Sequence, residues 1–135
     1  MVGLDTNVLV RYLAQDDPKQ SPQASRLIES LTPQAPGYVT MVALVELVWV
    51  LESCYDTPHG TIALTIERLL RTKSLVLEQA ETVWQALRVF IAGHKDFADC
   101  LIARTAHAAG CAKVYTFDRA AIQKSGMHPV PGTSS

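Results

Sequence analysis

The chain has 135 residues, of which 48% are hydrophobic, and this length suits one domain of ordinary size with a substantial core. Its 12 Lys and Arg against 13 Asp and Glu give a formal net charge of −1, so a nucleic-acid partner would be held by a local basic patch. The apolar run at residues 2–4 is too short for a signal peptide, and the longest run, residues 41–51, is too short to span a bilayer. The three cysteines lack metal-type spacing, which favours reduced thiols in a cytoplasmic protein without a membrane segment.

Short apolar runs alternate with longer helical patterns, which predicts an α/β domain with a mostly parallel sheet. The predicted strands are residues 2–5, 38–40, 75–77 and 113–117, with an edge strand near 128–130. Two helices flank a break at 16–18, the second ending near residue 31, and further helices are predicted at 41–54, 58–73, 80–92, 97–109 and 119–124. We expect a single domain over residues 1–130 and a disordered tail over residues 131–135.

Asp5 stands at the end of the first predicted strand, directly before a helix. In a parallel α/β sheet, ligands bind beyond the carboxyl ends of the strands, where the following helices begin. Asp118 ends the fourth predicted strand and has the same kind of position. Each of the two aspartates is either a capping residue or a member of a site, and two such residues in one small sheet favour the site.

Glu46 is the only charged residue between Met41 and Leu51, and apolar residues surround it on every side of the predicted helix. Burying a carboxylate without a partner costs several kcal/mol, so a buried Glu46 must be protonated, paired or bound to a cation. One interpretation is a structural ion pair, for example with Arg11. The other is that Glu46 faces the same space as Asp5, because its helix follows the second strand.

The segment "HKDFADCLIA" offers two further acids, Asp96 and Asp99. Asp96 is predicted to be the N-cap of the helix, with Asp99 at the position of a capping-box acid. Asp99 also lies at the flank of the apolar face, from which a side chain can reach a cleft. Of the two, Asp99 is the better candidate for chemistry.

Four carboxylates at one edge of a sheet would repel one another strongly unless cations were present. Mg²⁺ and Mn²⁺ suit oxygen ligands, and such a site can hydrolyse a phosphodiester by activating water and stabilising charge on the phosphate. The sequence contains no phosphate-binding loop, HExxH, GxSxG or CxxC motif. The scattered histidines are expected to be non-catalytic; they are His59, His94, His107 and His128.

Taken in order, these residues resemble a family. "LDTNVLV", the lone Glu46, "DFADCLIARTA" and "VYTFD" are similar to the motifs of PIN-domain ribonucleases, and the length and spacing resemble the VapC-type toxins of type II toxin–antitoxin systems. The resemblance implies a three-layer α/β/α fold with a central, mostly parallel sheet of four to five short strands. It also implies a Mg²⁺- or Mn²⁺-dependent endoribonuclease, a homodimer, and a cognate VapB-like antitoxin that blocks the acidic groove.

The resemblance further implies which side chains form the site. Asp5 and Asp99 would be the direct metal ligands, and Asn7 and Thr116 would support the site; the four acids would be Asp5, Glu46, Asp99 and Asp118. Asp96 is an additional acid that departs from the family pattern. Its presence puts the choice of Asp99 in doubt. On this interpretation Thr6 or Asn7 caps the first helix and Asp5 is left to bind a cation.

Two other functions are compatible with the same residues. Asp5 could be the nucleophile of a phosphatase, but such enzymes commonly carry an acid two residues later, where this chain has Asn7. A non-catalytic module could use the acids to hold a basic partner, although a complete set of four acids argues against it.

Trp49 and Trp84 lie in core-type patterns and are not expected to stack on bases. The candidate phosphate contacts for RNA are Arg11, Arg68, Arg71, Lys73, Lys95, Arg104 and Arg119.

Overall fold

The computed structural model describes residues 1–93 and 96–132. The strands are β1 (Val2–Gly3), β2 (Gly37–Val39), β3 (Leu75–Leu77), β4 (Tyr115–Thr116) and β5 (His128–Pro129). The helices are α1 (Thr6–Ala14), α2 (Gln20–Glu29), α3 (Met41–Tyr55), α4 (His59–Arg71), α5 (Ala80–Ile91), α6 (Phe97–Ala108) and α7 (Arg119–Lys124). The chain divides into two compact units, Met1–Ala80 and Glu81–Ser135, which are described separately below.

The first unit contains a parallel sheet in the order β1-β2-β3. Val2 is paired with Gly37, and Gly37 is in turn paired with Leu75, so all three strands run in the same direction from neighbouring starting points. The Leu4 amide donates to the Tyr38 carbonyl over 3.0 Å, which extends the pairing one residue beyond β1. The prediction of a parallel sheet is confirmed. Strand β3 has the predicted bounds, β2 has the predicted length but begins one residue earlier, and β1 is two residues shorter than predicted.

Helices of the first unit bury one apolar stripe each. Helix α1 packs against α2 and α3, α3 packs against α4, and α4 contacts β3. Leu9 on α1 and Ile62 on α4 are fully buried, and Leu47 on α3 is almost so. Each such side chain contributes roughly 1.5–3 kcal/mol relative to leaving it in water, so these stripes hold the helices against the sheet and each other.

Helix α3 begins at a well-defined N-terminus at the carboxyl end of β2. Thr40 is the N-cap of α3, and its side chain accepts a hydrogen bond from the Ala43 amide at 3.0 Å. The Glu78 carboxylate, just past β3, accepts another from the Met41 amide at 2.8 Å. Two amides that lack partners within the helix are thereby satisfied.

One face of α3 is exposed, contrary to two predictions from its sequence. Glu46 is exposed where burial was expected, and Trp49, assigned to the core, keeps 64% of its surface accessible. Val42, one helical turn before Glu46, is 70% exposed. The predictions were wrong because a helix that is apolar on all sides has no periodicity to indicate which face is buried.

In the second unit, β4 and β5 form a two-stranded parallel sheet, and α7 packs against both. Phe90 on α5 and Phe97 on α6 are buried with their rings edge to face, 5.5 Å apart at 81°. The predicted number of five strands is confirmed. Within the described residues, three strands form one hydrogen-bonded sheet and two strands form another. Strand β4 covers two residues of the five predicted.

Some predictions fall wholly or partly on residues that the structure does not describe. His94 and Lys95 in the predicted linker, and the last three residues of the predicted tail, lie outside the described residues. Across the described residues, none of the helices has the length and apolar character needed to cross a membrane.

Candidate active site

Asp5 lies between β1 and α1 and is itself the N-cap of the helix. Its Oδ1 accepts a hydrogen bond from the Thr6 amide at 2.7 Å, and its carbonyl oxygen accepts one from the Val8 amide at 3.1 Å. The prediction that Thr6 or Asn7 caps the helix, leaving Asp5 free of that task, was therefore wrong. The physical reason is the extended backbone of Asp5, with φ −76° and ψ 158°, which is the conformation an N-cap requires.

Glu46 is joined to this strand end through Thr6. The Thr6 hydroxyl donates to Glu46 Oε1 over 3.0 Å, because α1 and α3 pack side by side and place these positions on facing turns. Two acids that are far apart in the sequence thus contact one residue, Asp5 through the Thr6 amide and Glu46 through the Thr6 hydroxyl. We refer to Asp5, Thr6 and Glu46 as the Asp5–Glu46 cluster.

Thr6 had been considered only as a cap, and its link to Glu46 was missed by the sequence analysis. The position of Thr6 next to Asp5 marks it as a polar neighbour of a candidate acid, but no local pattern pairs it with Glu46.

Arg11 is paired with residues other than Glu46, so the alternative of a Glu46–Arg11 ion pair is wrong. Its guanidinium lies 3.8 Å from Asp16 and 4.0 Å from Asp17, and its Nε donates to Gln20 over 2.8 Å. Arg11 therefore serves the turn between α1 and α2. The hydrogen bonds from the Gln20 and Lys19 amides lower the pKa of Asp17; burial opposes this shift, and the charge of Arg11 makes the smallest contribution, which also lowers the pKa.

Asn7 faces a different part of the surface from the hydroxyl contact. It lines an open cavity of about 270 Å³ between α1 and α2, together with Arg11 and Gln23. Its proposed supporting role at the site therefore remains a prediction.

Asp96 and Asp99 occupy the first turn of α6 in the second unit. Asp96 is the N-cap, as predicted, and its Oδ1 accepts from the Asp99 amide at 3.2 Å. Asp96 is exposed and Asp99 is half-buried, next to the buried Cys100. Burial, followed by the charges of Asp96 and Asp99, raises the pKa of the Cys100 thiol to about 12.

Asp118 and Thr116 form a compact turn between β4 and α7. The Asp118 amide donates to Thr116 Oγ1 over 3.0 Å, and Asp118 Oδ1 accepts from the Ala120 amide at 2.8 Å and the Ala121 amide at 3.4 Å. Asp118 is the N-cap of α7 and is exposed. Thr116 thus holds the backbone at the acid it was predicted to support.

The acids share a chemistry that suits a hard cation. Carboxylate oxygens are the ligands that Mg²⁺ and Mn²⁺ favour, and Mg²⁺ commonly takes one or two of them and keeps several waters. Within the described residues of either unit, no group of three His, Cys, Asp or Glu side chains could hold one ion. The Asp5–Glu46 cluster supplies two exposed carboxylates, and the described hydrogen bonds engage one oxygen of each. This pair fits a hydrated cation.

Comparisons with known proteins identify the family to which the chain belongs. The crystal structure of VapC20 from Mycobacterium tuberculosis, described as a sarcin–ricin loop cleaving toxin, is similar to 96% of this chain and 98% of its own, with 20% identity and a TM-score of 0.45. No curated protein sequence matches the chain. The sequence model of the PIN domain matches residues 2–126. Because that match spans most of the chain, the protein belongs to the PIN-domain family.

Proposed function

We propose that the protein is a Mg²⁺- or Mn²⁺-dependent endoribonuclease that hydrolyses RNA phosphodiester bonds. Membership of the PIN-domain family, whose members are nucleases, supports the class of reaction. The observation that carries the proposal is the Asp5–Glu46 cluster at the carboxyl end of β1, in which Asp5 accepts from the Thr6 amide and Glu46 accepts from the Thr6 hydroxyl. That end of a parallel sheet is where α/β proteins bind their ligands.

Asp5 and Asp99 are the proposed metal ligands, and Glu46 and Asp118 complete the proposed set of four acids. A bound cation would activate water and stabilise the negative charge that develops on the phosphate. Thr6 is a positioning residue, because its hydroxyl hydrogen is directed to Glu46 Oε1 and so orients that carboxylate. Thr116 holds the amide of Asp118 in the same indirect way, and Asn7 is proposed as a polar neighbour of Asp5.

We further propose that the nuclease is the toxin of a toxin–antitoxin pair acting in the cytoplasm as a homodimer. The support is the order and spacing of the motifs around Asp5, Glu46, Asp99 and Asp118, which resembles the VapC type. A VapB-like antitoxin would inhibit the toxin by placing a basic side chain against these acids. An ion pair of that kind is the contact most complementary to a cluster of carboxylates.

The test uses purified protein and end-labelled RNA, with Mg²⁺, with Mn²⁺ and with excess EDTA. We expect cleavage by the wild type with either metal, and a loss of at least a hundredfold in Glu46→Gln, which keeps the size of the side chain and removes the charge. Asp56→Asn is the matched control, since Asp56 is exposed and ends α3 with φ 50°, a conformation that Asn tolerates. Full cleavage in EDTA, or by Glu46→Gln, would contradict the proposal.

A further inference from the structure

A second surface cavity lies in the second unit, and its lining is basic. It has a volume of about 280 Å³ and is formed mainly by the end of α6, the residues leading into β4, the end of α7 and the start of β5. None of the described residues that line it carries a carboxylate. Five carry a cationic or imidazole side chain; these are Arg104, His107, Lys113, Lys124 and His128.

The cavity lies at the amino ends of β4 and β5, whereas Asp118 lies at the carboxyl end of β4. The His128 amide donates to the Val114 carbonyl over 2.8 Å, which holds the beginnings of the two strands together. Lys113 precedes β4 and lines the cavity, whereas Thr116 and Asp118, at the other end of β4, are not among its described lining residues. The basic cavity and the Thr116–Asp118 turn are therefore different places in the second unit.

The negative ends of two helix dipoles offset part of this positive charge, and the rest has no counter-charge among the described lining residues. His107 is in the last turn of α6 and Lys124 ends α7, where cations are stabilised by the carbonyl ends of helices. Two helix C-termini supply only about half a negative charge each, whereas the Arg and Lys side chains supply three full positive charges, so the cavity keeps a net charge of roughly +2. An anion is the ligand that would neutralise it.

Arg104 is already oriented for such a ligand. Its Nε and Nη2 donate to Gln85 Oε1 over 3.3 and 3.2 Å, which fixes the guanidinium plane and uses two of its five N–H donors. A guanidinium beside ammonium groups matches a phosphodiester, whose negative charge is shared by two oxygens that accept hydrogen bonds. Because no Phe, Tyr or Trp is among the described lining residues, the cavity offers no ring on which a base could stack.

We propose that this cavity binds a backbone phosphate of the RNA strand, away from the acids at the carboxyl end of β4. The inference rests on the proposed action on RNA. It also agrees with the distribution of charge, since residues 81–135 carry six Lys and Arg against four Asp and Glu while the whole chain has a net charge of −1. A strand held there would be anchored by charge and would be read for its backbone, with no preference for a base.

The test measures binding of a fluorescent single-stranded RNA in EDTA, with the RNA checked for integrity on a gel. Lys113→Gln/Lys124→Gln removes two charges from the cavity, and Lys19→Gln/Arg26→Gln removes two exposed charges of the first unit as the matched control. We expect the cavity variant to bind about tenfold more weakly and to lower the salt slope by about 0.7, the value for one phosphate on a single strand. The control should change affinity less than twofold.

Equal losses in both variants, or no loss in the cavity variant, would overturn the inference. The inference would also be overturned if polyglutamate bound as tightly as RNA and lost as much affinity in the cavity variant. The cavity would then recognise negative charge without a preference for phosphate. Cleavage with Mg²⁺ is measured separately. If the cavity variant binds RNA more weakly but the wild type does not cleave RNA, only the proposed function is contradicted. If the wild type cleaves RNA and the cavity variant binds RNA as tightly as the wild type, only this inference is contradicted.

Discussion

Asp5 is the N-cap of α1 and is also one of the proposed metal ligands. Its carboxylate caps α1 through the Thr6 amide, and it lies beside the hydroxyl that contacts Glu46. One oxygen can serve the helix while the other faces a cation, because a carboxylate has about four lone-pair sites. Capping and metal binding are therefore compatible at this residue.

Substitutions at Asp5 should separate these tasks. Asn caps helices as well as Asp does, whereas Ala costs about 1 kcal/mol, so Asp5→Asn should keep the wild-type Tm and Asp5→Ala should lower it by about 4 °C. Both variants should lose RNA cleavage, since neither supplies a carboxylate. Thermal unfolding by circular dichroism beside the cleavage assay measures the two effects. An active Asp5→Asn protein would show that the carboxylate serves the helix alone.

Thiol reactivity should distinguish Cys100 from the other two cysteines. Cys100 is buried, and burial with the nearby carboxylates raises the pKa of its thiol to about 12, while Cys54 and Cys111 are exposed. In native buffer at pH 8, iodoacetamide should modify two thiols quickly and the third only after unfolding, as counted by mass spectrometry. Modification of all three at similar rates would show that the α6 environment is more open than the structure has it.

At the scale of elements, the first turn of α6 shows how local signals predict structure well. The Asp96 cap and the apolar face that follows it predict a helix over 97–109, and the observed helix is Phe97–Ala108. The same signals leave the chemistry open, because Asp96 and Asp99 are both acids of one turn. The structure separates them by role, since the Asp96 side chain accepts from the Asp99 amide.

We expect Asp99→Asn to lose cleavage without a change in Tm, because Asn keeps the size of the side chain and the backbone amide that donates to Asp96. Asp96→Asn should keep both activity and stability, and Asp96→Ala should lose about 1 kcal/mol of stability while remaining active. Initial cleavage rates and unfolding midpoints of the three variants check this. An inactive Asp96→Asn beside an active Asp99→Asn would exchange the two assignments.

Helix α3 is the element whose packing the sequence could not predict. Its apolar residues continue around the whole helix, so the buried stripe through Leu44, Leu47 and Leu51 is set by what the helix packs against. Trp49 lies on the exposed side, and its indole should therefore be reached by a small quencher.

Acrylamide quenching of single-tryptophan variants measures this exposure. Trp49, observed in Trp84→Phe, should be quenched more strongly than Trp84, observed in Trp49→Phe, because Trp84 is half-buried. The comparison is made in dilute protein, where association between copies is smallest. Stronger quenching of Trp84 would contradict the observed orientation of α3.

At the scale of the whole molecule, chain order and composition predict the class of fold. Alternation of short apolar runs with helices predicts the parallel strands β1, β2 and β3, and their parallel pairing is confirmed in the first unit. The lengths of β1 and β4 were overestimated because an apolar run marks burial, and pairing can stop before burial does. The Thr6–Glu46 hydrogen bond could not be predicted, since it joins residues 40 positions apart through helix packing that no local pattern encodes.

The most direct test of the proposed ribonuclease maps the 5′ ends produced in total RNA by the purified protein with Mg²⁺. Parallel reactions contain Asp5→Asn or excess EDTA. We predict new, discrete ends with the wild type and Mg²⁺, and none of these ends in either parallel reaction. The same ends in EDTA or with Asp5→Asn would contradict a metal-dependent site at Asp5, and no new ends under any condition would contradict the ribonuclease.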